Sequence, residues 1–385
     1  MKDVKVMKPK QFDSIIIGGG VIGCSIAYSL SKRNKSVLLI EKNEIGCESS
    51  RAAAGMLGVQ AELDKQTPLF ELARLSREMF PSIGKELRQH TNIDIELIQN
   101  GQLKIAYSEE DVEAFQSIAE WQSSIGEEVS WLNKNALLNL EPCLSEKAKG
   151  ALYFPNEGHV SAPPLTQAFA KAAAALGTKI REYCEVEALL EDNGVIHGVQ
   201  TNAGTFYSES VVVATGAWSR KWLPDEMKQD DYLYPVKGEA FAVKTHYPFI
   251  HRTIFTKECY IVPKKGGELI VGATMKSHTF DQNVSLQGIS KLMNKAQQIL
   301  PIIADTTVDR FWSGIRPMTH DETPYLGEHP DLERLFFATG HYRNGILLSP
   351  ITGKLMAELI TDKSPSFDLS PFKLDRHKQT QEVIT

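Results

Sequence analysis

Three glycines spaced Gly18-x-Gly20-x-x-Gly23, followed about 20 residues later by Glu41, form the pattern in this chain that points most directly to chemistry. The first two glycines permit a tight turn and let backbone amides approach a pyrophosphate, and the third lets the following helix close on its strand. Val21 and Ile22 open that helix, whose positive N-terminal end favours a bound phosphate. Glu41 can accept hydrogen bonds from the hydroxyls of an adenosine ribose and would repel a 2′-phosphate. The pattern therefore indicates a dinucleotide without naming it. Far along the chain, Arg316 (in FWSGIRPM) and Arg343 (in GHYRNGILL) lie in apolar surroundings, where a guanidinium needs an anionic or carbonyl partner. For Arg343 a solvated or structural salt-bridge reading stays open. Tyr260, in ECYIVPKK, is either a phenol donor or a packed strand aromatic.

The elements around these residues follow from periodicity. Residues 12–17 are an isoleucine-rich run stopped by glycines, 21–33 carry apolar residues at helical spacing, and 36–40 return to a β-branched run closed by Glu41. This is a βαβ unit. After Glu41 and Lys42, Ser49 and Ser50 are placed to cap a helix. Ala54, Gly55 and Met56 follow in a segment with little side-chain bulk, suited to close approach to the phosphates. Residues 68–90 form an amphipathic helix through Leu69, Leu72, Leu75, Met79, Ile83 and Leu87.

Short strands at 93–98 and 102–107 around Asn100-Gly101 predict a hairpin that opens a second lobe. A Pro-started, alanine-rich helix ends at Gly177, and strands follow at 179–182, 186–191 (beginning at Val186), 195–201 and 205–207. The run 211–214 stops at Thr215-Gly216 before a helix, which suggests a second backbone turn over the nucleotide. Antiparallel strands dominate past Pro235, with a turn at Gly266-Gly267 and a helix at 287–300. Strand, glycine turn and helix close the chain, with Pro350 expected in the first turn of that last helix.

The chain of 385 residues is long enough for two or three lobes, and its 42% apolar and 23% charged content is ordinary for a globular protein. A formal charge of −6 and a pI near 6.0 give no basic field for nucleic acid or anionic membrane. Small-molecule partners are expected. The N-terminal MKDVKVMKPK lacks an apolar signal core and no long apolar run occurs, which together predict a cytoplasmic protein. Five scattered cysteines without metal-ligand spacing read as reduced thiols, and no metal site is expected. Cys24, in the first turn of the nucleotide helix, reads as a packing residue.

The opening glycine pattern leading to Glu41, the SSRAAAGM segment at 49–56, the ATG at 214–216 and the GHYRNG turn at 340–345 together resemble the FAD-dependent amine and D-amino-acid oxidase superfamily. The likeness spans nearly the whole chain and extends to the glycine oxidases of thiamine biosynthesis. It implies an α/β plus α+β fold. A Rossmann-like FAD-binding domain of glutathione-reductase type would comprise 1–90, 156–235 and 325–385. A substrate-binding domain built on a large antiparallel sheet flanked by helices would comprise 91–155 and 236–324.

The resemblance also implies non-covalent FAD, because the 314–325 segment, where sarcosine oxidases attach flavin, holds no cysteine. The cofactor set would include His341, Tyr342, Arg343, Asn344, Gly345, Ile346 and Leu347 near the flavin, beside the residues of the opening and middle motifs. Arg316 would grip the substrate carboxylate, with Tyr260, Arg343 and Met275 lining the pocket. No protein group is expected to be catalytic, since the flavin performs the oxidation. The implied reaction converts glycine, sarcosine or small D-amino acids with O2 to the imine or glyoxylate, ammonia or amine, and H2O2, supplying iminoacetate for the thiazole of thiamine. An alternative is a D-amino-acid or sarcosine dehydrogenase with another electron acceptor. A homo-oligomer, as a tetramer, is implied by resemblance alone.

Overall fold

The strand Gln11–Ile17 is buried along nearly its whole length and lies between two parallel partners, Val37–Ile40 and Gly204–Val213. Burial on both faces is the reason its sequence is a continuous apolar run rather than an alternating one. The computed structural model describes residues 11–228, 231–362 and 364–377. The N-terminal decapeptide, on which the absence of a signal segment was read, falls outside the described residues.

These three strands are the middle of an eight-stranded sheet. Leu335–Thr339 extends it in parallel beside Gly204–Val213, Tyr325–Glu328 adds an antiparallel edge, and Lys179–Arg181 pairs beside Val37–Ile40. The antiparallel pair Val186–Asp192 and Val195–Thr201 joins through the start of Gly204–Val213. The sequence read 205–207 and 211–214 as separate strands, but they belong to this single strand, which serves two neighbouring ladders.

The helix Val21–Lys32 covers one face of the sheet and packs against the last long helix, Gly345–Asp362. Their approach is close: a Cβ on Gly353 would stand 2.2 Å from Ser25 Oγ, and that hydroxyl donates to Ser349 O at 2.7 Å. The two ends of the sequence thus share one layer. Pro350 lies inside Gly345–Asp362 rather than in its first turn. Proline removes the amide that would reach Ile346 O, and the Ser349 hydroxyl donates to that carbonyl instead, at 2.8 Å. The amphipathic helix forms as Pro68–Thr91. Thr67 caps it by accepting from Phe70 N, left-handed Asn92 ends it, and Leu69, Leu72, Ile83 and Leu87 are buried.

A second, nine-stranded sheet runs in the order Lys276–Ser277, Leu233–Lys244, Glu268–Gly272, Tyr260–Lys264, Thr253–Phe255, Gln102–Ala106, Gly150–Phe154 and Ser130–Asn133. Thr307–Thr319 pairs along nearly all of Leu233–Lys244. All of its ladders are antiparallel except that between Gln102–Ala106 and Thr253–Phe255. The hairpin expected at Asn100-Gly101 does not form. Residues 93–98 supply only an isolated bridge from Ile98 to His159, and Gln102–Ala106 takes distant partners. Gly101 is there for another reason: its φ is +88, and a Cβ on it would stand 2.3 Å from the Tyr153 ring.

Candidate active site

The turn after Gln11–Ile17 has a geometry that requires glycine. Gly18 has φ +108, and a Cβ there would stand 2.5 Å from Ala214 O. A Cβ on Gly23 would stand 1.9 Å from Gly18 O, so this third glycine does not line the cavity but lets the helix close on the turn. Gly20 meets only Ser50 Oγ, at 3.3 Å, and leaves its remaining side open to a cavity of about 360 Å3. Val21 and Ile22 line the same end. Glu41 is buried there, its Oε2 accepting from Gly19 N at 2.7 Å and its Oε1 from Asn43 N at 2.9 Å. Both bonds fix the carboxylate's orientation.

Ser49–Ala52 is a short helix whose N-cap is Glu48, so neither serine caps it as the sequence suggested. Ser50 Oγ instead accepts from Val21 N at 2.9 Å, satisfying a free donor at the start of the nucleotide helix. Ser49 donates to Ile315 O, Trp312 Nε1 donates to Ala52 O at 3.0 Å, and a Cβ on Gly314 would stand 2.5 Å from that of Ala52. These contacts staple the segment to the strand Thr307–Thr319. Ala54, Gly55 and Met56 continue along the cavity wall.

Two further turns complete that wall. After Val213, Thr215 and Gly216 (φ +55) lead into the 3-10 helix Gly216–Trp222, and Val186 lines the wall nearby. Lys42 lies 4.6 Å over the Trp218 ring. Trp218 was missed by sequence reasoning, although its place directly after the ATG turn was a usable signal. In the closing turn, Gly340 (φ +78) and Tyr342 (φ +46) bring His341, Tyr342 and Arg343 to the cavity. Gly345 and Ile346 present the positive end of the last helix, whereas Asn344 and Leu347 stand behind the wall. Burial pushes His341 down to about 3, so the imidazole is neutral, with Nε2 3.1 Å from Thr352 Oγ1. Stabilisation of negative charge here falls to helix amides rather than to an imidazolium.

The other end of the cavity is built from side chains. Arg316, on Thr307–Thr319, lies across the backbone of Gly238 on the paired strand, where a Cβ would stand 2.4 Å from its guanidinium nitrogens. Its guanidinium donates to Thr274 O at 3.4 Å, and among the described residues it has no carboxylate within ion-pair distance. Tyr260 crosses Gly272 in the same way, a Cβ there meeting its hydroxyl at 2.2 Å. Burial raises its pKa against the pull of Arg316 and Arg343, which keeps the phenol a donor.

Arg343 differs from Arg316. Its Nε holds Glu62 Oε2 at 2.9 Å, and the Glu62 side chain is only 7% exposed. Burial raises the Glu62 pKa while Arg343, then Arg316, oppose that rise. Met275 does not line the cavity. It is 69% exposed and accepts from Tyr342 Oη through Sδ at 3.1 Å. Glu258 lies in the bend before the strand Tyr260–Lys264 and turns away from the site to pair with Lys295.

Residues 13–359 match the family model described as FAD dependent oxidoreductase (DAO). The chain belongs to that family. The glycine oxidase of Geobacillus kaustophilus is 45% identical over 95% of this chain and 97% of its own length, and a crystal structure of glycine oxidase from that organism aligns with a TM-score of 0.91 over 95% of this chain and 99% of the other. The glycine oxidase of Bacillus subtilis is 38% identical over 97% of this chain and 99% of its own. The Bifunctional protein ThiO/ThiG of Synechocystis sp. is 33% identical over 96% of this chain, which corresponds to 54% of that longer protein.

The cavity fits the flavin dinucleotide of the family. Gly20 and Gly216 are open on their cavity sides, a buried carboxylate is oriented by two amides, and a helix N-terminus stands beside the reaction end. The 314–325 segment has no cysteine, in keeping with non-covalent FAD. Cys24, in the turn below, is buried with its thiol 3.4 Å from Gly19 O, and burial drives its pKa strongly upward, so it is a packing residue. All five cysteines are unpaired. Among the described residues no helix is long and apolar enough to cross a membrane.

Proposed function

We propose that this chain is an FAD-dependent amino-acid oxidase whose preferred substrate is glycine, with sarcosine and small D-amino acids accepted. The observation that carries the reading is Arg316, a half-buried guanidinium facing the cavity beside Tyr260 with no carboxylate within ion-pair distance among the described residues. A guanidinium in that state is the complement of a substrate carboxylate, which it can hold through two parallel hydrogen bonds. The Tyr260 phenol donates to the same group. Anchoring the carboxylate at two points fixes the rotation of a molecule as small as glycine and sets its Cα–N bond in one orientation, which is the main contribution a protein can make to this reaction.

When bound, FAD supplies the redox chemistry, accepting hydride from the substrate Cα and passing the electron pair to O2 to give H2O2. The cofactor would be held by the amides of the Gly18–Gly20 turn, by Glu41 and Lys42 at the adenosine half, by Ser50, Ala54 and Gly55 along the wall, and by His341, Tyr342, Arg343, Gly345 and Ile346 at the ring. The released imine hydrolyses to glyoxylate and ammonia or enters thiazole formation, which the resemblance to the ThiO/ThiG protein supports. We further propose the domain division 1–90, 156–235 and 325–385 for FAD, and 91–155 and 236–324 for substrate. The separate eight- and nine-stranded sheets support it. A cytoplasmic location accords with five free thiols. Light scattering would read out the expected homo-oligomer.

The test is anaerobic mixing of the purified yellow protein with glycine, sarcosine, D-alanine and D-proline. Glycine should bleach the flavin fastest, and readmitted O2 should return colour with stoichiometric H2O2. Absence of bleaching by glycine overturns the substrate, and bleaching without peroxide overturns O2 as acceptor.

A further inference from the structure

The reaction end contains two guanidiniums, and only one of them is free. Arg316 forms no ion pair among the described residues, whereas the Nε of Arg343 is committed to Glu62 at 2.9 Å. With Glu62 ionised in its pair with Arg343, two guanidiniums and one carboxylate leave one net positive charge, which matches a substrate with a single carboxylate.

Glu62 is held firmly in that position. It ends the four-residue helix Val59–Glu62, which a buried polar cluster pins through Gln60. Glu157 accepts from Gln60 N, Gln60 Nε2 donates to Gln122 Oε1 at 3.0 Å, and Arg77 bridges Gln60 Oε1 at 3.1 Å and Glu127 Oε2 at 2.8 Å. On the other side, Lys104 pairs with Asp64 at 2.5 Å. These contacts fix the backbone that carries Glu62, and the carboxylate itself is held by Arg343 Nε at 2.9 Å.

We propose that Glu62 is a specificity-determining residue. By neutralising Arg343 it admits amino acids with one carboxylate and excludes those that carry a second anionic group on the side chain or on nitrogen. The proposal rests on Arg316 as the carboxylate anchor. It adds that the neighbouring guanidinium, which could receive a second carboxylate, is deliberately filled. The exclusion is repulsive, since a second carboxylate placed near Arg343 meets the negative charge of Glu62 in a site shielded from water.

The experiment uses the FAD-loaded enzyme and compares Glu62→Gln and Arg343→Met with the unmodified protein. Binding of acetate and malonate is read from the perturbation of flavin absorbance, which needs no turnover, and kcat/KM is measured for D-alanine and D-aspartate. In Glu62→Gln the malonate-to-acetate affinity ratio and the D-aspartate-to-D-alanine kcat/KM ratio should each rise at least tenfold. In Arg343→Met, which removes the guanidinium that a second carboxylate would reach, both ratios should fall. Ratios that stay constant, or that move in the same direction in both variants, overturn the proposal. If one variant loses its flavin, the sign in the other still decides. Failure of glycine to bleach the unmodified enzyme sinks the glycine reading separately, because the anion-binding ratios do not depend on it.

Discussion

The two ends of the cavity are made in different ways. The dinucleotide end is built of backbone: Gly18 with φ +108 under Ala214 O, Gly23 closed on Gly18 O, helix starts at Val21 and Gly345, and one buried acid, Glu41. The reaction end is built of side chains, Arg316, Tyr260, Arg343 and Glu62, delivered from four separate elements. Two of them, Arg316 and Tyr260, lie over glycines of adjoining strands, Gly238 and Gly272, that make room for them. Backbone recognition suits a cofactor that stays the same, whereas side-chain recognition lets a substrate be chosen by a few replaceable groups.

Breaking the comparison means perturbing each end and reading both. The largest effect is expected from Arg316→Ala. Loss of a charge-assisted pair of hydrogen bonds should raise the glycine KM by roughly a thousandfold, while flavin content and absorbance stay normal. Unchanged kinetics would remove Arg316 from the role of anchor. Glu41→Ala should do the reverse, weakening FAD by about ten- to hundredfold in a dialysis or quenching titration, with the glycine KM of the refilled enzyme little altered. The smallest effect is expected from Tyr260→Phe. It keeps the ring over Gly272 and removes one donor, for a KM rise of about tenfold with the melting temperature unchanged. A loss of FAD in this variant would show that the two ends are not separable.

Legibility in the sequence follows the same division. The strand, turn and helix around Gly18–Gly23 are local, so periodicity and glycine spacing reveal them, and the antiparallel strands joined at Gly266-Gly267 are local too. What escaped is non-local. Residues 93–98 alternate like a strand, but they join no ladder, and Ile98 forms an isolated bridge to the distant His159. The hydroxyl of Ser50 was read as a local cap, while its acceptor site serves Val21 on another element. Pro350 was placed by a rule for first turns, and the rescue of Ile346 O by Ser349 made an interior position tolerable. Glu62 gave no signal, because a lone acid in a short helix becomes functional only when a distant arginine is folded onto it. Arg316 was legible through its apolar neighbours, but its lack of an ion pair among the described residues needed the structure.

The staple between Ser49–Ala52 and the strand Thr307–Thr319 joins these two modes of construction. Ser49 and Ala52 touch that strand at Trp312, Gly314 and Ile315, immediately before Arg316. Neighbours that share contacts do not respond independently to substitution. For an engineer, transplanting a different substrate strand onto this nucleotide scaffold would leave a mismatched seam at Ala52 unless both halves were exchanged as a matched set. The anchor for the substrate and the wall of the cofactor site form a single inherited part.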